Sequence, residues 1–218
     1  MSFRMDGSAA TRRIGPPRAG IAERIWEAAR VEFSRRGFHG ARVQGIARGA
    51  ACNVALIYRH WASKRDLYVD ILRAVWVDGA NEIAARMEAE PGGGAELVVG
   101  TYLDVMSRDP MGAQVLVREY LDGAPFLSQL TAAEPELLAP VRRAAAAMAA
   151  VAGDGIDPVL AVVTVGGLAA LVAAAHEAVR PFVAEPLPPE AWRHHVLALL
   201  TRGLSPERGV AARAELGS

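Results

Sequence analysis

The sequence predicts an all-α protein with an N-terminal three-helix helix-turn-helix head and a C-terminal helical body. Three observations support this class. Apolar residues recur at three- and four-residue spacings through most of the chain, and no stretch alternates as a β-strand would. Two short helical segments also flank a tight turn near residue 52. We expect a flexible basic arm over residues 1–18, a head over residues 19–65 and a body over residues 66–218.

The first predicted helix spans about residues 19–36. Ile25, Trp26 and Phe33 belong to one apolar stripe along it, and charged residues occupy its other faces. Gly37 follows two arginines and supplies a left-handed stop. The head therefore begins with an amphipathic helix that ends at a glycine.

Two short helices are predicted next, over residues 43–50 and 54–61, and the three-residue break between them gives a helix-turn-helix. Asn53 is positioned to cap the second one by accepting a hydrogen bond from a first-turn N–H. A further helix opens at Ser63, whose spacing to Asp66 resembles a capping box. Breakers separate the remaining predicted helices, which span about residues 94–108, 111–123, 128–151, 157–180 and 189–203.

The charge is divided between the two ends of the chain. The formal net charge is zero, but residues 1–65 carry 13 basic and 4 acidic side chains, a net of +9, which leaves −9 for the rest. This division predicts a basic binding head on an acidic body.

Cysteine content and the N-terminal sequence both favour the cytoplasm. The single Cys52 excludes an internal disulfide framework, and the first 20 residues lack an apolar stretch of signal-peptide length. One segment resists this interpretation, because residues 158–175 contain no charge and reach the lower length limit of a membrane span. Their content of Ala, Val and Gly, without flanking aromatic belts, favours a buried interface helix instead.

No catalytic or cofactor motif is present in the sequence. It lacks GxGxxG, HExxH, CxxC and GxSxG, so we predict no cofactor, no metal site and no enzyme activity. Two alternatives stay open at this point. One is a helical small-molecule-binding protein or enzyme with an incidental N-terminal motif, and the other is a membrane-anchored protein.

Several features over residues 20–72 occur together in one known family. The pairs Ile25-Trp26 and Ala28-Ala29 precede Phe33, and the segments "RRGF", "VQGIARGA" and "IYRHWASKRDLY" follow. This combination resembles the tetracycline-repressor-like family of bacterial transcription regulators. The resemblance implies a DNA-binding head, a ligand-binding and dimerisation body, and no membrane association.

Four positions depart from the family pattern. Ala51 stands where the turn usually has Gly, and Arg42 stands where a small hydroxyl residue usually caps the second helix. Leu56 replaces a residue that is commonly polar, and Trp61 replaces the usual Phe. We expect strain at Ala51 if its φ is positive, and a core position for Trp61.

The resemblance implies a division of DNA contacts within the head. Phosphate contacts would come from Arg42, Tyr58, Arg59, His60 and Lys64. Base contacts would come from Gln44, Asn53, Val54 and Ala55. For Asn53 the alternative is a cap only, because one amide does not easily serve both roles.

The resemblance also implies a homodimer that binds double-stranded DNA at a near-palindromic operator, and a small-molecule effector that releases a repressor from it. The last two long helices would form the dimer interface, with Val163, Gly167, Ala170, Leu171, Ala174, Leu197 and Leu200 as contributors. Candidate pocket residues are Trp76, Tyr102, Met106, Tyr120, Phe126 and His176, each of which also fits an ordinary core position.

Overall fold

The computed structural model describes residues 20–90, 92–149, 155–179, 181 and 188–204. These residues form ten α-helices and one 3-10 turn, and no strand occurs among them, which confirms the all-α class. The predicted arm, residues 1–18, lies outside the described residues. The helices are α1 (Ile21–Gly40), α2 (Val43–Gly49), α3 (Val54–His60), α4 (Lys64–Ala89), α5 (Gly94–Arg108), α6 (Pro110–Leu121), α7 (Pro125–Ala133), α8 (Ala139–Ala149), α9 (Pro158–Val179) and α10 (Pro189–Leu204).

Helix α1 is interrupted where the sequence predicted its end. Gly37 has φ 65° and ψ −179°, outside the helical region, and a last short turn follows it to Gly40. From α6, the Arg118 guanidinium donates hydrogen bonds to the carbonyl oxygens of Ser34 (2.7 Å) and Arg35 (2.8 Å). These carbonyls lie just before the interruption, so a body residue satisfies the C-terminal end of the main part of α1.

Helix α4 continues from the head into the body. Its N-cap is Ser63, whose hydroxyl oxygen accepts the Asp66 N–H at 3.1 Å, and this confirms the predicted cap. The boundary that we proposed between residues 65 and 66 falls inside this single helix. The two parts of the molecule therefore share a continuous rigid element.

The predicted single helix over residues 128–151 is wrong. The chain forms α7, then a 3-10 turn at Pro135–Leu138, then α8. Pro135 lacks an N–H and disfavours a helical conformation at the preceding residue, Glu134, which has φ −133° and ψ 75°. The apolar period continued across this break, and for that reason the sequence analysis missed it.

Two main apolar clusters stabilise the described chain. The first joins the three head helices to α4 and α6, and it includes Trp26, Ile46, Ile57, Ile71 and Leu116. The second lies in the body, where residues of α4, α5, α8, α9 and α10 pack together. Because the first cluster crosses the predicted boundary, the head has no core separate from the body.

Helix α6 makes polar contacts with the head at both of its ends. Asp109 caps its first turn by accepting the Gly112 N–H at 3.0 Å, and the same carboxylate forms an ion pair with Arg30 of α1. Near the other end, Arg118 donates the two hydrogen bonds to carbonyl oxygens of α1 described above. The adjacent, buried Glu119 accepts hydrogen bonds from the Tyr68 hydroxyl of α4 (3.0 Å) and from two N–H groups at the start of α7. Any displacement of α6 must therefore act on the head.

Helix α9 contains the uncharged stretch, now bounded as Pro158–Ala175. It is long and apolar enough to cross a membrane, with mean hydropathy 2.2, but 33% of it is buried within the described chain. Its exposed side includes Val159 (47%), Leu160 (66%), Val163 (50%) and Leu171 (49%). We call these four residues the α9 face. One side of residues 158–175 is thus protein core, and the α9 face is an apolar surface.

Candidate nucleic-acid interface and body cavity

The outward side of α2 and α3 presents polar and cationic side chains. Gln44 and Arg48 are exposed on α2, and Ala55, Tyr58 and Arg59 are exposed on α3. We call these five residues the α2–α3 face. The opposite sides of the two helices bury Ile46, Ala47 and Ile57 against α1 and α4. The packing therefore fixes which side chains can reach a partner.

Several cations of this region have no intramolecular partner within the described chain, as is also true of the exposed Arg35 on α1. Among the described residues, the guanidinium groups of Arg42, Arg48 and Arg59 have no carboxylate or hydrogen-bond partner. By contrast, Arg30 pairs with Asp109 and Arg36 pairs with Glu32. Positive charge is thus left uncompensated where α2 and α3 face outward.

Arg48 is an exposed cation of this face that the sequence pattern did not predict as a contact. It lies four residues after Gln44 and so shares its side of α2. That spacing could have identified it.

The turn between α2 and α3 is strained at Ala51, as the family comparison led us to expect. Ala51 has φ 51°, in the left-handed region that costs a residue with a Cβ about 1 kcal/mol. The Cys52 N–H donates to the Ala47 carbonyl (2.9 Å) and the Ala51 N–H donates to the Arg48 carbonyl (3.2 Å). These two bonds form a Schellman motif, and they hold Ala51 in the strained conformation.

Asn53 is the N-cap of α3. Its side-chain oxygen accepts the Leu56 N–H at 2.9 Å. A bidentate contact with adenine needs both the oxygen and the NH₂ group of an amide. Asn53 cannot make that contact while it caps the helix, so the cap-only alternative fits the geometry.

Two predicted DNA contacts have different surroundings from those expected. Val54 is half-buried and packs against the head core, so only part of its side chain is exposed on the outward surface. The ammonium group of Lys64 donates to the carbonyl oxygens of Phe38 (2.7 Å) and Ala41 (3.0 Å) and lies 4.4 Å from the centre of the Phe38 ring. Lys64 therefore joins the start of α4 to the link after α1 rather than pointing away from the head.

Trp61 lies in the core, which confirms the prediction. It is 8% exposed, and its ring centre is 6.4 Å from that of Trp26. Its indole N–H donates to the Asp70 carboxylate at 3.0 Å. These contacts connect the end of α3 to α1 and α4, which fixes the orientation of α3.

Next to Trp61, His60 is exposed, and Arg42 at the start of α2 has no side-chain cap, as expected.

A cavity of about 140 Å³ lies in the body, between α4, α5, α6, α8 and α9. Four of the six predicted pocket residues line it: Trp76, Tyr102, Met106 and Tyr120. Burial, with a contribution from Tyr120, raises the pKa of the Tyr102 hydroxyl above its ordinary value. Burial, with a contribution from Glu119, does the same to the pKa of Tyr120. Both hydroxyls are therefore neutral donors at neutral pH.

The other two predicted pocket residues do not line this cavity in the described structure. Phe126 packs between the body and the head, with its ring centre 4.4 Å from that of Phe38 and 5.2 Å from that of Tyr68. The prediction for Phe126 is wrong because α7 begins there and turns the ring toward α1. The side chain of His176 lies outside the described residues.

The residues predicted for the dimer interface separate into three groups. Val163 and Leu171 belong to the exposed α9 face, whereas Gly167 and Ala174 are half-buried. Ala170 is 1% exposed and packs with Ala113 of α6, so its prediction is wrong.

On α10 the predicted interface residues point inward. Leu197 and Leu200 are half-buried and pack against the body core, so their part in an interface stays a prediction. Leu199, at 64% exposure, is the outward leucine. The sequence could not separate these leucines without knowing which side of α10 packs on α5.

The fold and the outward face define the class of this molecule, a helix-turn-helix protein with a helical body. Residues 25–71 match the family of bacterial regulatory proteins described as the tetR family. Residues 25–71, which run from α1 into α4, therefore carry the sequence pattern of this TetR family.

Two curated relatives have detectable sequence similarity to parts of the chain. The HTH-type transcriptional repressor SCO4008 of Streptomyces coelicolor is 42% identical over 55 residues, which are 25% of this chain and 29% of the relative. The HTH-type transcriptional regulator RutR of Escherichia coli K12 is 31% identical over 106 residues, 47% of this chain and 49% of RutR. The chain thus spans about half of one relative and under a third of the other.

A solved structure extends the likeness in fold to most of the chain. A TetR-like transcriptional regulator from Rhodococcus sp. RHA1 matches with a TM-score of 0.60 at 22% identity, and the match covers 86% of this chain and 97% of that one. At this identity the match concerns the fold alone.

Proposed function

We propose that this chain is a cytoplasmic, homodimeric transcription regulator that binds a near-palindromic DNA operator and represses transcription until a small molecule releases it. One observation carries the DNA-binding part. Arg42, Arg48 and Arg59 at the outer side of α2 and α3 lack intramolecular partners in the described chain, whereas Arg30 and Arg36 are paired. The phosphates of a polyanion such as DNA supply the negatively charged partners that these arginines lack.

The contacts with DNA divide by side-chain chemistry. Arg42, Arg48, Tyr58, Arg59 and His60 carry donors that suit phosphate oxygens, and such contacts set orientation without reading sequence. Gln44 and Ala55 are exposed and suit base edges, Gln for adenine and the Ala methyl for the thymine methyl. The role we propose for Asn53 is to fix the start of α3, and the role for Lys64 is to hold α4 against the head.

The α9 face supports the dimer. Its four apolar side chains are 47–66% exposed in one chain, and Leu199 of α10 adds a further exposed leucine. Burying them against a second copy removes apolar area from water and pairs two heads for two half-sites. The membrane alternative has less support, because the buried third of the same helix packs as protein core.

Helix α6 supports the release step. Leu116 and Tyr120 of α6 line the cavity, and Asp109, Arg118 and Glu119 of the same helix bond to α1, α4 and α7. A ligand that is held against α6 acts on groups that fix the angle of the head. A hundredfold loss of operator affinity requires a differential binding energy of about 2.7 kcal/mol between the two states.

The enzyme alternative has less support than the regulator. No group of metal-ligating side chains occurs among the described residues, and the matched curated relatives are named as transcriptional regulators. No observation on the described residues favours a small-molecule-binding protein or enzyme with an incidental N-terminal motif.

The experiment is a selection of random genomic fragments by the purified full-length protein, followed by sequencing of the retained DNA. An enriched inverted repeat is the expected result. A matched Arg48→Gln, Arg59→Gln variant serves as the control, and it should retain little DNA. Retention without a shared sequence, or equal retention by the variant, would contradict the proposal.

A further inference from the structure

The body cavity has an unusual balance of polar and apolar groups. The described residues that line it include no charged side chain, and most are aliphatic or aromatic. The Trp76 indole N–H is already used, since it donates to the Leu137 carbonyl at 3.1 Å. In the described part of the chain, the Tyr102 and Tyr120 hydroxyls have no hydrogen-bond partner. Two donors on an apolar wall are thus open to a ligand.

The position of Tyr102 depends on a glycine. A Cβ on Gly166 of α9 would lie 3.0 Å from Cε1 of the Tyr102 ring, closer than ordinary van der Waals contact. The absence of a side chain there lets the ring lie against the backbone of α9. The hydroxyl at the end of this ring is held in place by packing rather than by a hydrogen bond.

The volume limits what can enter. At about 140 Å³ the cavity is close to the roughly 150 Å³ apolar cavity that accepts benzene in an engineered protein. A molecule of one aromatic ring with a small substituent fits this space.

The lining also selects against charge. A carboxylate or an ammonium group that enters this cavity loses its hydration, and no described lining residue offers a counter-ion. A carbonyl or ether oxygen loses less, because a tyrosine hydroxyl replaces the hydrogen bond to water. Three aromatic rings could attract a cation, but none of the described lining residues is an acid that would complete such a site.

We propose that the cavity binds a neutral, mainly apolar molecule of about one aromatic ring that accepts a hydrogen bond from Tyr102 or Tyr120. This assignment rests on the proposed function, because it identifies the cavity as the effector site. It adds the chemical class of the effector, and it excludes organic acids and amines of the same size.

The experiment measures binding to the purified full-length protein without DNA, by calorimetry with four probes of similar size. Acetophenone is neutral and has an acceptor, ethylbenzene is neutral and has none, benzoate is an anion and benzylammonium is a cation. We expect acetophenone to bind about tenfold more tightly than ethylbenzene, which is the worth of one hydrogen bond. We expect the two ions to bind more weakly than either neutral probe.

Variants then locate the bound molecule. The double variant Tyr102→Phe, Tyr120→Phe should reduce acetophenone affinity to that of ethylbenzene and leave ethylbenzene binding unchanged. Ala144 of α8 lines the cavity, so Ala144→Leu should abolish the binding of both neutral probes. Ala146→Leu, at an exposed position of the same helix, is the matched control and should bind normally.

Three outcomes would overturn the assignment: equal or tighter binding of an ion, no binding of any of the four probes, or acetophenone binding that the tyrosine double variant leaves unchanged. A separate measurement of operator affinity with bound acetophenone distinguishes the two proposals. Tyrosine-dependent binding without DNA release supports the ligand class and contradicts the release step. DNA release by benzoate alone contradicts the ligand class and supports release.

Discussion

The α2–α3 face and the α9 face are both exposed, but their chemistry is opposite. The first lies on helices of seven residues and carries cations without partners in the described chain. The second lies on a helix of 22 residues and carries four large or branched apolar side chains without charge. Folding usually pairs charged side chains and buries apolar ones. The α2–α3 face leaves charge unpaired within the described chain, and the α9 face leaves apolar area exposed. The two faces therefore suit partners of different chemistry, which under our proposal are the DNA phosphates and a second copy of the chain.

The largest expected effect is that of a charge placed on the α9 face. In Leu171→Arg, a charge enters the α9 face, and a two-fold dimer would bury it twice. We expect the dimer dissociation constant to rise at least about 1000-fold, or about 4 kcal/mol, in sedimentation equilibrium. Leu121→Arg is the control, since Leu121 is 81% exposed but lies at the end of α6. If both variants stay dimeric, the α9 face is not the interface.

The next effect concerns Lys64, which the sequence predicted to contact phosphate but whose ammonium group bonds within the protein. Lys64→Met should lower the free energy of unfolding by about 2 kcal/mol, because two carbonyl oxygens lose a charged donor. Urea denaturation measures this loss. The salt dependence of DNA binding should keep its slope, because the Lys64 ammonium group is bonded to the Phe38 and Ala41 carbonyl oxygens and not to a phosphate. A slope that falls by about 0.9 per head would show that Lys64 does contact a phosphate.

A smaller effect tests the strained turn that holds the α2–α3 face. Ala51→Gly removes the Cβ at φ 51° and should raise the free energy of unfolding by up to about 1 kcal/mol. Thermal unfolding measures this gain. Ala62→Gly, at an exposed position just after α3, is the comparison variant. A loss of stability in Ala51→Gly would contradict the assignment of strain.

The smallest effect concerns Asp104 of α5, which forms ion pairs with Arg86 of α4 and Arg193 of α10. Burial opposes ionisation of Asp104, but hydrogen bonds and charges from Arg193 and Arg86 outweigh it and keep the pKa of Asp104 below its ordinary value. A lowered pKa stabilises the fold at neutral pH, and this contribution is lost as pH falls through the folded-state value. Asp104→Asn should therefore cost below about 1 kcal/mol at pH 7, and the difference from wild type should shrink below about pH 4. Urea denaturation at both pH values tests this, and a constant difference would contradict it.

The sequence predicted the parts of this molecule that local chemistry determines. The stop at Gly37, the caps at Asn53 and Ser63 and the positions of most helices follow from residue type and spacing, and the structure has them. The break at Pro135 was missed because the apolar period continues across it.

Which side of a helix faces inward was less predictable. Ala170 and Leu199 have similar apolar neighbours in sequence, but one is buried against α6 and the other is exposed. Lys64 looked like a surface cation until the fold brought two carbonyl oxygens to it. These outcomes depend on tertiary neighbours that are distant along the chain, and no local pattern encodes them.

Our proposal requires that cations on both heads of a dimer contact DNA phosphates. The most direct measurement is the salt dependence of operator affinity for wild type and for the triple variant Arg42→Gln, Arg48→Gln, Arg59→Gln. If each of three cations on two heads releases a counterion, the slope of log affinity against log salt should fall by about 5. A fall of about half that size would indicate a single bound head. An unchanged slope would contradict the account, because the uncompensated cations would then have no part in binding.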